Sequence, residues 1–89
     1  MPEQEHSRIL VVDDDAAMRE MLTVGLTTEH IEVESAADAA QALERVDSGE
    51  IDVVVTDLRM PQVSGLELCA AIVRQSPALP VIVLTAFGD

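Results

Sequence analysis

Four short apolar runs punctuate the chain: Ile9-Leu10-Val11-Val12, Ile31-Glu32-Val33-Glu34, Val53-Val54-Val55 and Val81-Ile82-Val83-Leu84. Three of them are unbroken by polar residues and rich in β-branched side chains. Such a run fits a strand buried on both faces, as in a parallel sheet. The second alternates apolar residues with Glu, which fits an edge strand with one wet face. Glu29, Glu32 and Glu34 are accordingly expected to face water.

Between these runs the apolar spacing changes to that of a helix. Met18, Met21, Leu22, Gly25 and Leu26 form one stripe, Ala39, Ala42, Leu43 and Val46 a second, and Gly65, Leu68, Cys69 and Ile72 a third. Each stripe reads as the core-facing side of an amphipathic helix. Asp15, Asp38 and Ser64 stand where an N-cap oxygen can accept from the free N–H groups of a first turn. Ser48-Gly49 ends the second helix, and Pro77 and Pro80 close off the third. The order β-α-β-α-β-α-β predicts an α/β fold with a parallel sheet and right-handed crossovers. Met18 and Met21 are expected as core gap-fillers, and Cys69 as a buried, inert thiol. His6 and His30 are far apart in the chain and lack metal-ligand spacing, so both read as surface residues.

Composition narrows the function classes. The 89 residues fit one domain at the small end of the range. Asp and Glu number 17 against 5 arginines and no lysine, a net charge of −12. A surface so acidic repels phosphate backbones, and the single aromatic residue, Phe87, offers no stacking platform. Direct nucleic-acid binding is therefore not expected. No apolar run approaches the ~20 residues of a membrane span. Residues 1–7 are polar and lack an apolar signal core, and are expected to form a flexible N-terminal tail. One cysteine allows no internal disulfide. A cytoplasmic location with no membrane contact follows as the expectation.

The chemistry is expected where the strands end, because an open parallel sheet binds ligands beyond its carboxyl edge. The first run ends in Asp13-Asp14-Asp15, the third in Thr56-Asp57 and the fourth in Thr85-Ala86. Adjacent central strands would bring Asp13, Asp14 and Asp57 to one edge with Thr85 beside them. Three carboxylates at close range repel one another, and one of them titrates high unless a cation lies between them. Mg²⁺ suits such oxygen donors. A metal site of this kind can bring a phosphoryl group onto a carboxylate, with the Thr85 hydroxyl placed to bond a phosphoryl oxygen. Each residue alone is more often structural: Asp14 and Asp15 as helix caps, Asp57 as a strand end, Thr85 as the start of a turn. Their convergence on one edge favours a site.

From Arg8 onward the chain resembles the receiver domain of two-component response regulators. The resemblance is carried by residues 9–15, by Asp52 to Pro61 with Gly65 following, and by Pro80 to Ala86, in that order and spacing. It implies a flavodoxin-like doubly wound parallel sheet of strand order 2-1-3-4-5, cut here after the fourth strand, so that residues 8–89 form an incomplete receiver. By the same resemblance Asp57 accepts a phosphoryl group from a histidine kinase. Asp14, Asp13, Asp57 and the backbone carbonyl of Arg59 hold Mg²⁺. Thr85 is the switch hydroxyl, and Ala86 leaves room for the donor. Met60, Pro61 and Gly65 shape the loop after Asp57, with glycine suited to a conformation that other residues would strain.

A receiver of this kind is a phosphoryl acceptor rather than a turnover enzyme, and regulates transcription in a longer parent. A weaker similarity points to nitrogen-regulatory, enhancer-binding activators. The family's fifth strand supplies a lysine and a switch aromatic; this chain has no lysine. The fourth strand becomes an exposed apolar edge, so the chain is expected to be either a homodimer through that edge or part of a longer protein. Two other readings compete. Asp13-x-Asp15 and Leu84-Thr85 also resemble the first motifs of a haloacid-dehalogenase-type Mg²⁺ phosphatase, with Asp13 as nucleophile. Against it, Ala17 stands where Thr or Val is expected. The third reading is a receiver-like dimerisation module independent of phosphate.

Overall fold

The computed structural model describes residues 6–60 and 63–85. Strands β1 (Ser7–Val12), β2 (Ile31–Ala36), β3 (Val53–Asp57) and β4 (Val81–Leu84) alternate with helices α1 (Ala16–Leu26), α2 (Ala39–Asp47) and α3 (Gly65–Gln75). All four strands are parallel, in the order β2-β1-β3-β4. This is the expected doubly wound, flavodoxin-like sheet, with its direction reversing between β1 and β3. β1 begins at Ser7, paired with Ile31, inside the stretch expected to be tail; residues 1–5 lie outside the described residues.

The helices start where local hydrogen bonding dictates. The Asp15 carboxylate accepts from the N–H groups of Ala17 and Met18. Asp38 does the same for Gln41. At α3 the Ser64 hydroxyl accepts from Glu67 N–H while the Glu67 carboxylate accepts from Ser64 N–H, a reciprocal capping box. Gly49 follows the end of α2 with φ +81°, a left-handed conformation that glycine adopts without a Cβ clash.

One face of the sheet carries the core. Leu10, Val12 and Val54 pack with Ala42 and Val46 of α2 and Leu68 and Ile72 of α3. The other face is covered by α1, which packs over β1 and β2. No residue of α1 is buried. Met21 and Val24 are 59% and 73% exposed, and Ile82 and Leu84 of β4 are 50% and 40% exposed. This corrects the expectation that Met18 and Met21 fill the core. Their stripe is helical, but among the described residues no helix lies beside α1 over β3 and β4. Cys69 is likewise half-buried rather than buried, because it sits at the rim of the α3 stripe.

Two polar expectations also change. Glu34 is half-buried, and it accepts from Nε and Nη2 of Arg45 on α2. Its register partner is Leu10, so it points toward the helix-covered face. His6 and His30 are exposed, as expected, but not distant. The β1–β2 register sets their rings edge to face with centroids 6.4 Å apart.

Gly65 begins α3 against the end of β3. A Cβ there would lie 2.3 Å from the Asp57 carbonyl oxygen and 2.9 Å from Leu58 Cα. Its φ is not positive, so the requirement is for close approach rather than for the unusual conformation expected from sequence. Both obstacles are backbone and neither can rotate away. Gly65→Ala is expected to destabilise the fold by about 1–3 kcal/mol, as overpacking does. Met21→Gln, on the bare face of α1, is expected to stay within about 0.5 kcal/mol. Urea unfolding of the two variants checks both values.

Candidate acidic site at the carboxyl edge

The register of the two central strands builds the site. Val12 of β1 lies opposite Thr56 of β3, so the next residues, Asp13 and Asp57, stand side by side at the sheet's carboxyl edge. One carboxylate oxygen from each of Asp13, Asp14 and Asp57 falls within 4.8 Å of the others. Their exposures differ. Asp13 is buried at 7%, Asp57 is half-buried and Asp14 is exposed. The structure thus brings together the three acids expected to meet.

Asp13 is fixed on several sides. Its N–H donates to the Ala36 carbonyl at 3.2 Å, extending the β1–β2 ladder. Its Oδ1 accepts from Asp15 N–H at 2.9 Å. Its carbonyl accepts from Nη1 of Arg19 at 2.8 Å. Burial pushes its carboxyl above the ordinary carboxylate range, and the charges of Asp57, Asp14 and Asp15 push the same way. The Asp15 N–H acts in the opposite direction, without reversing the shift.

Below Asp57, Thr56 is fully buried and its hydroxyl donates to the Asp57 carbonyl at 3.1 Å. Leu58 N–H donates to the Leu84 carbonyl at 2.8 Å, carrying the β3–β4 ladder past Asp57. Thr85 follows Leu84 directly and is exposed at this edge. Arg59 is exposed in the loop after β3, and Met60 packs against the core. Gly65 N–H donates to the Leu58 carbonyl at 2.8 Å, tying α3 to the same loop. The expectations for Pro61 and Ala86 lie outside the described residues. A cleft of about 380 Å³ opens beside Asp14, with Ala37, Ala40, Met60 and Val63 in its walls.

The donor set fits a hard divalent cation. Three carboxylate oxygens converge, one of them on a group whose ionisation the surroundings oppose. A cation between them removes that opposition, and oxygen-only donors select Mg²⁺ over softer metals. Sequence reasoning did not single out Arg19. The available signal was a cation on the first helix, four residues after its cap and close behind three acids.

The response regulator receiver domain is the family whose model matches, over residues 9–89. The transcriptional regulatory protein TcrA of Mycobacterium tuberculosis is 43% identical over 81 residues, which are 91% of this chain and 32% of TcrA. The chain therefore spans about a third of that relative's length. Among solved structures, the chemotaxis protein CheY4 of Vibrio cholerae superposes with a TM-score of 0.85 at 32% identity, covering 94% of this chain and 72% of that one. The response regulator TrrA of Thermotoga maritima, in complex with Mg²⁺–BeF, gives 0.84 at 39% identity, covering 92% and 71%.

The raised Asp13 carboxyl has a testable sign. Between the ordinary carboxylate range and its raised folded value, the native state holds more protons than the unfolded chain. Stability therefore falls as pH rises through that window, and the ionised group remains a cost at pH 7. Asp13→Asn, which keeps an Oδ1 acceptor for Asp15, is expected to raise the metal-free Tm by a few degrees at pH 7. That advantage should shrink as pH falls through the window and vanish only below the ordinary carboxylate range. Mg²⁺ should raise the Tm of the unmodified protein and leave the variant nearly unmoved. Melting curves with and without Mg²⁺ across pH test all three.

Proposed function

The chain belongs to the response regulator receiver family, and we propose that it accepts a phosphoryl group from a histidine kinase onto Asp57. Family membership decides against the phosphatase reading. The observation that carries the proposal is the convergence of the Asp13, Asp14 and Asp57 carboxylates at the sheet's carboxyl edge. Asp57 suits the acceptor role because it is half-buried: held by β3, yet within reach of a donor. Asp13, clamped and buried, suits the role of a fixed ligand.

Asp13, Asp14, Asp57 and the Arg59 carbonyl would hold Mg²⁺, which when bound offsets the clustered negative charge and polarises a phosphoryl oxygen. A carboxylate oxygen of Asp57 attacks the phosphorus of a phosphohistidine. The phosphorus–nitrogen bond breaks and its electron pair leaves with the imidazole, so that an acyl phosphate forms. Thr85 is the hydroxyl that turns toward the new phosphoryl group. Met60 and Gly65 hold the loop that presents Arg59. In a longer parent the modification regulates transcription, a reading supported by the name of TcrA.

Intact mass after incubation with Mg²⁺ and acetyl phosphate tests the acceptor. A gain of one phosphoryl group is expected, abolished by Asp57→Asn and slowed by Asp13→Asn. A gain that survives Asp57→Asn, or no gain in the unmodified chain, overturns the assignment.

Self-association belongs to the same proposal: β4 pairs with a second copy along its open edge. Val81–Leu84 carries no charge, and Ile82 and Leu84 are exposed. Unguarded edges of this kind template pairing. Each copy carries a charge of −12, so repulsion opposes the contact and salt should strengthen it. Light scattering is expected to give the mass of two chains at high salt, and of one chain for Ile82→Glu. The mass of one chain for the unmodified protein at high salt, with a cooperative melt, refutes the dimer.

A further inference from the structure

Arg19 stands apart from the other arginines whose partners the structure describes. Arg8 pairs with Glu32, Glu34 and Glu50, and Arg45 pairs with Glu34 and Glu50. Among the described residues Arg19 has no carboxylate within ion-pair distance. Its Nη1 donates instead to the backbone carbonyl of Asp13 at 2.8 Å, in a half-buried setting beside three acids. Helical side chains lean toward the N-terminus, so a long side chain at position 19 reaches back over the first turn of α1 to the end of β1. The Arg19 N–H closes that first turn on the Asp15 carbonyl at 3.0 Å. At the level of hydrogen bonds, Asp13 is then held at N–H by Ala36, at carbonyl by Arg19 and at Oδ1 by Asp15.

We propose that Arg19 is a positioning residue for the acidic site: its guanidinium locks the Asp13-Asp14-Asp15 turn so that the carboxylates of Asp13 and Asp14 stay aimed at a divalent cation. The inference rests on the receiver reading of the site. It makes a prediction of unusual sign. A positive charge near a cation site repels the cation, so an arginine acting through charge alone weakens metal binding and its removal tightens it. An arginine acting through the hydrogen bond strengthens binding and its removal loosens it. The Asp13 carbonyl bond would be lost in Arg19→Met together with the charge, so the direction of the change separates the two. In Arg19→Lys the charge persists but the planar, multi-donor guanidinium does not.

Isothermal titration of Mg²⁺ into the 89-residue chain, without any phosphodonor, reads the effect directly. Arg19→Met is expected to weaken Mg²⁺ binding about tenfold, the lower end of the range for partners that orient metal ligands. Arg19→Lys is expected to fall between Met and the unmodified protein. Faster amide exchange at Asp14 and Asp15 in the Met variant, with α3 unchanged, would support a local loss of order. Tighter or unchanged Mg²⁺ binding in Arg19→Met overturns the inference. If that variant does not fold, Arg19→Lys decides: weaker binding supports the inference, and binding equal to or tighter than the unmodified protein overturns it. Failure of the unmodified chain to bind Mg²⁺ would instead sink the receiver reading on which the inference stands.

Discussion

Parallel pairing of β1 with β3 is the constraint on which the site depends. It sets Val12 against Thr56, so the pairing of these two strands with each other ends just before Asp13 and Asp57. Like charges would separate if their backbones could move, and here the backbones cannot. Val12, directly before Asp13, and Val54 and Thr56 in the strand that leads to Asp57 are fully buried. Moving Asp13 away from Asp57 would mean breaking that register and exposing the strand ends. Burial of aliphatic side chains, about 25 cal/mol per Å² of apolar surface, holds the repulsion in place.

The two ends of the sheet treat charge in opposite ways. At the amino end Arg8 and Arg45 reach Glu32, Glu34 and Glu50, and the Asp52 carboxylate accepts from Arg8 N–H. Those ion pairs are largely solvent-exposed and each contributes little. Among the described residues they oppose Glu32, Glu34 and Glu50 with a cation. At the carboxyl end, Arg19 bonds a carbonyl and leaves the acids unneutralised. The clustered acids of this edge thus stand where a cation can relieve their repulsion. This is the arrangement expected of a binding site rather than of a helix cap that happens to be acidic.

Much of this was readable from the residues. β4 was bounded to the residue because a run of four β-branched or aliphatic side chains follows Pro80 and stops at Thr85. The three N-caps were legible because Asp and Ser precede apolar periodicity by one turn. The meeting of Asp13, Asp14 and Asp57 followed from strand ends and a switch in sheet direction. What failed was whatever depends on a neighbour outside the local pattern. The α1 stripe is helical in period, but period does not say whether a second layer lies over Met21. Alternation put Glu34 in water, without knowing that Arg45 lies above it. His6 and His30 are 24 residues apart in the chain and neighbours in the register. A glycine at position 65 suggests a conformational need, while the actual need is room beside the Asp57 carbonyl.

The graded exposure of the acids follows from the same geometry and separates their possible roles. Asp13 leaves β1 still under the Ala36 ladder, so it is enclosed and its orientation is dictated by three hydrogen bonds. Asp14 lies one residue further out, on the solvent side of the turn, and opens onto the cleft walled by Met60 and Val63. Asp57 is intermediate, anchored by a buried Thr56 below and by the Leu58–Leu84 bond beside it. A nucleophile must be reachable and must also be held still, and of the three acids Asp57 meets both conditions. A buried carboxylate such as Asp13 is harder for a bulky donor to reach, yet its oxygen still faces the cluster where a small cation fits. The proposed division, with Asp57 as acceptor and Asp13 as ligand, thus matches how far each carboxylate is exposed at the strand ends.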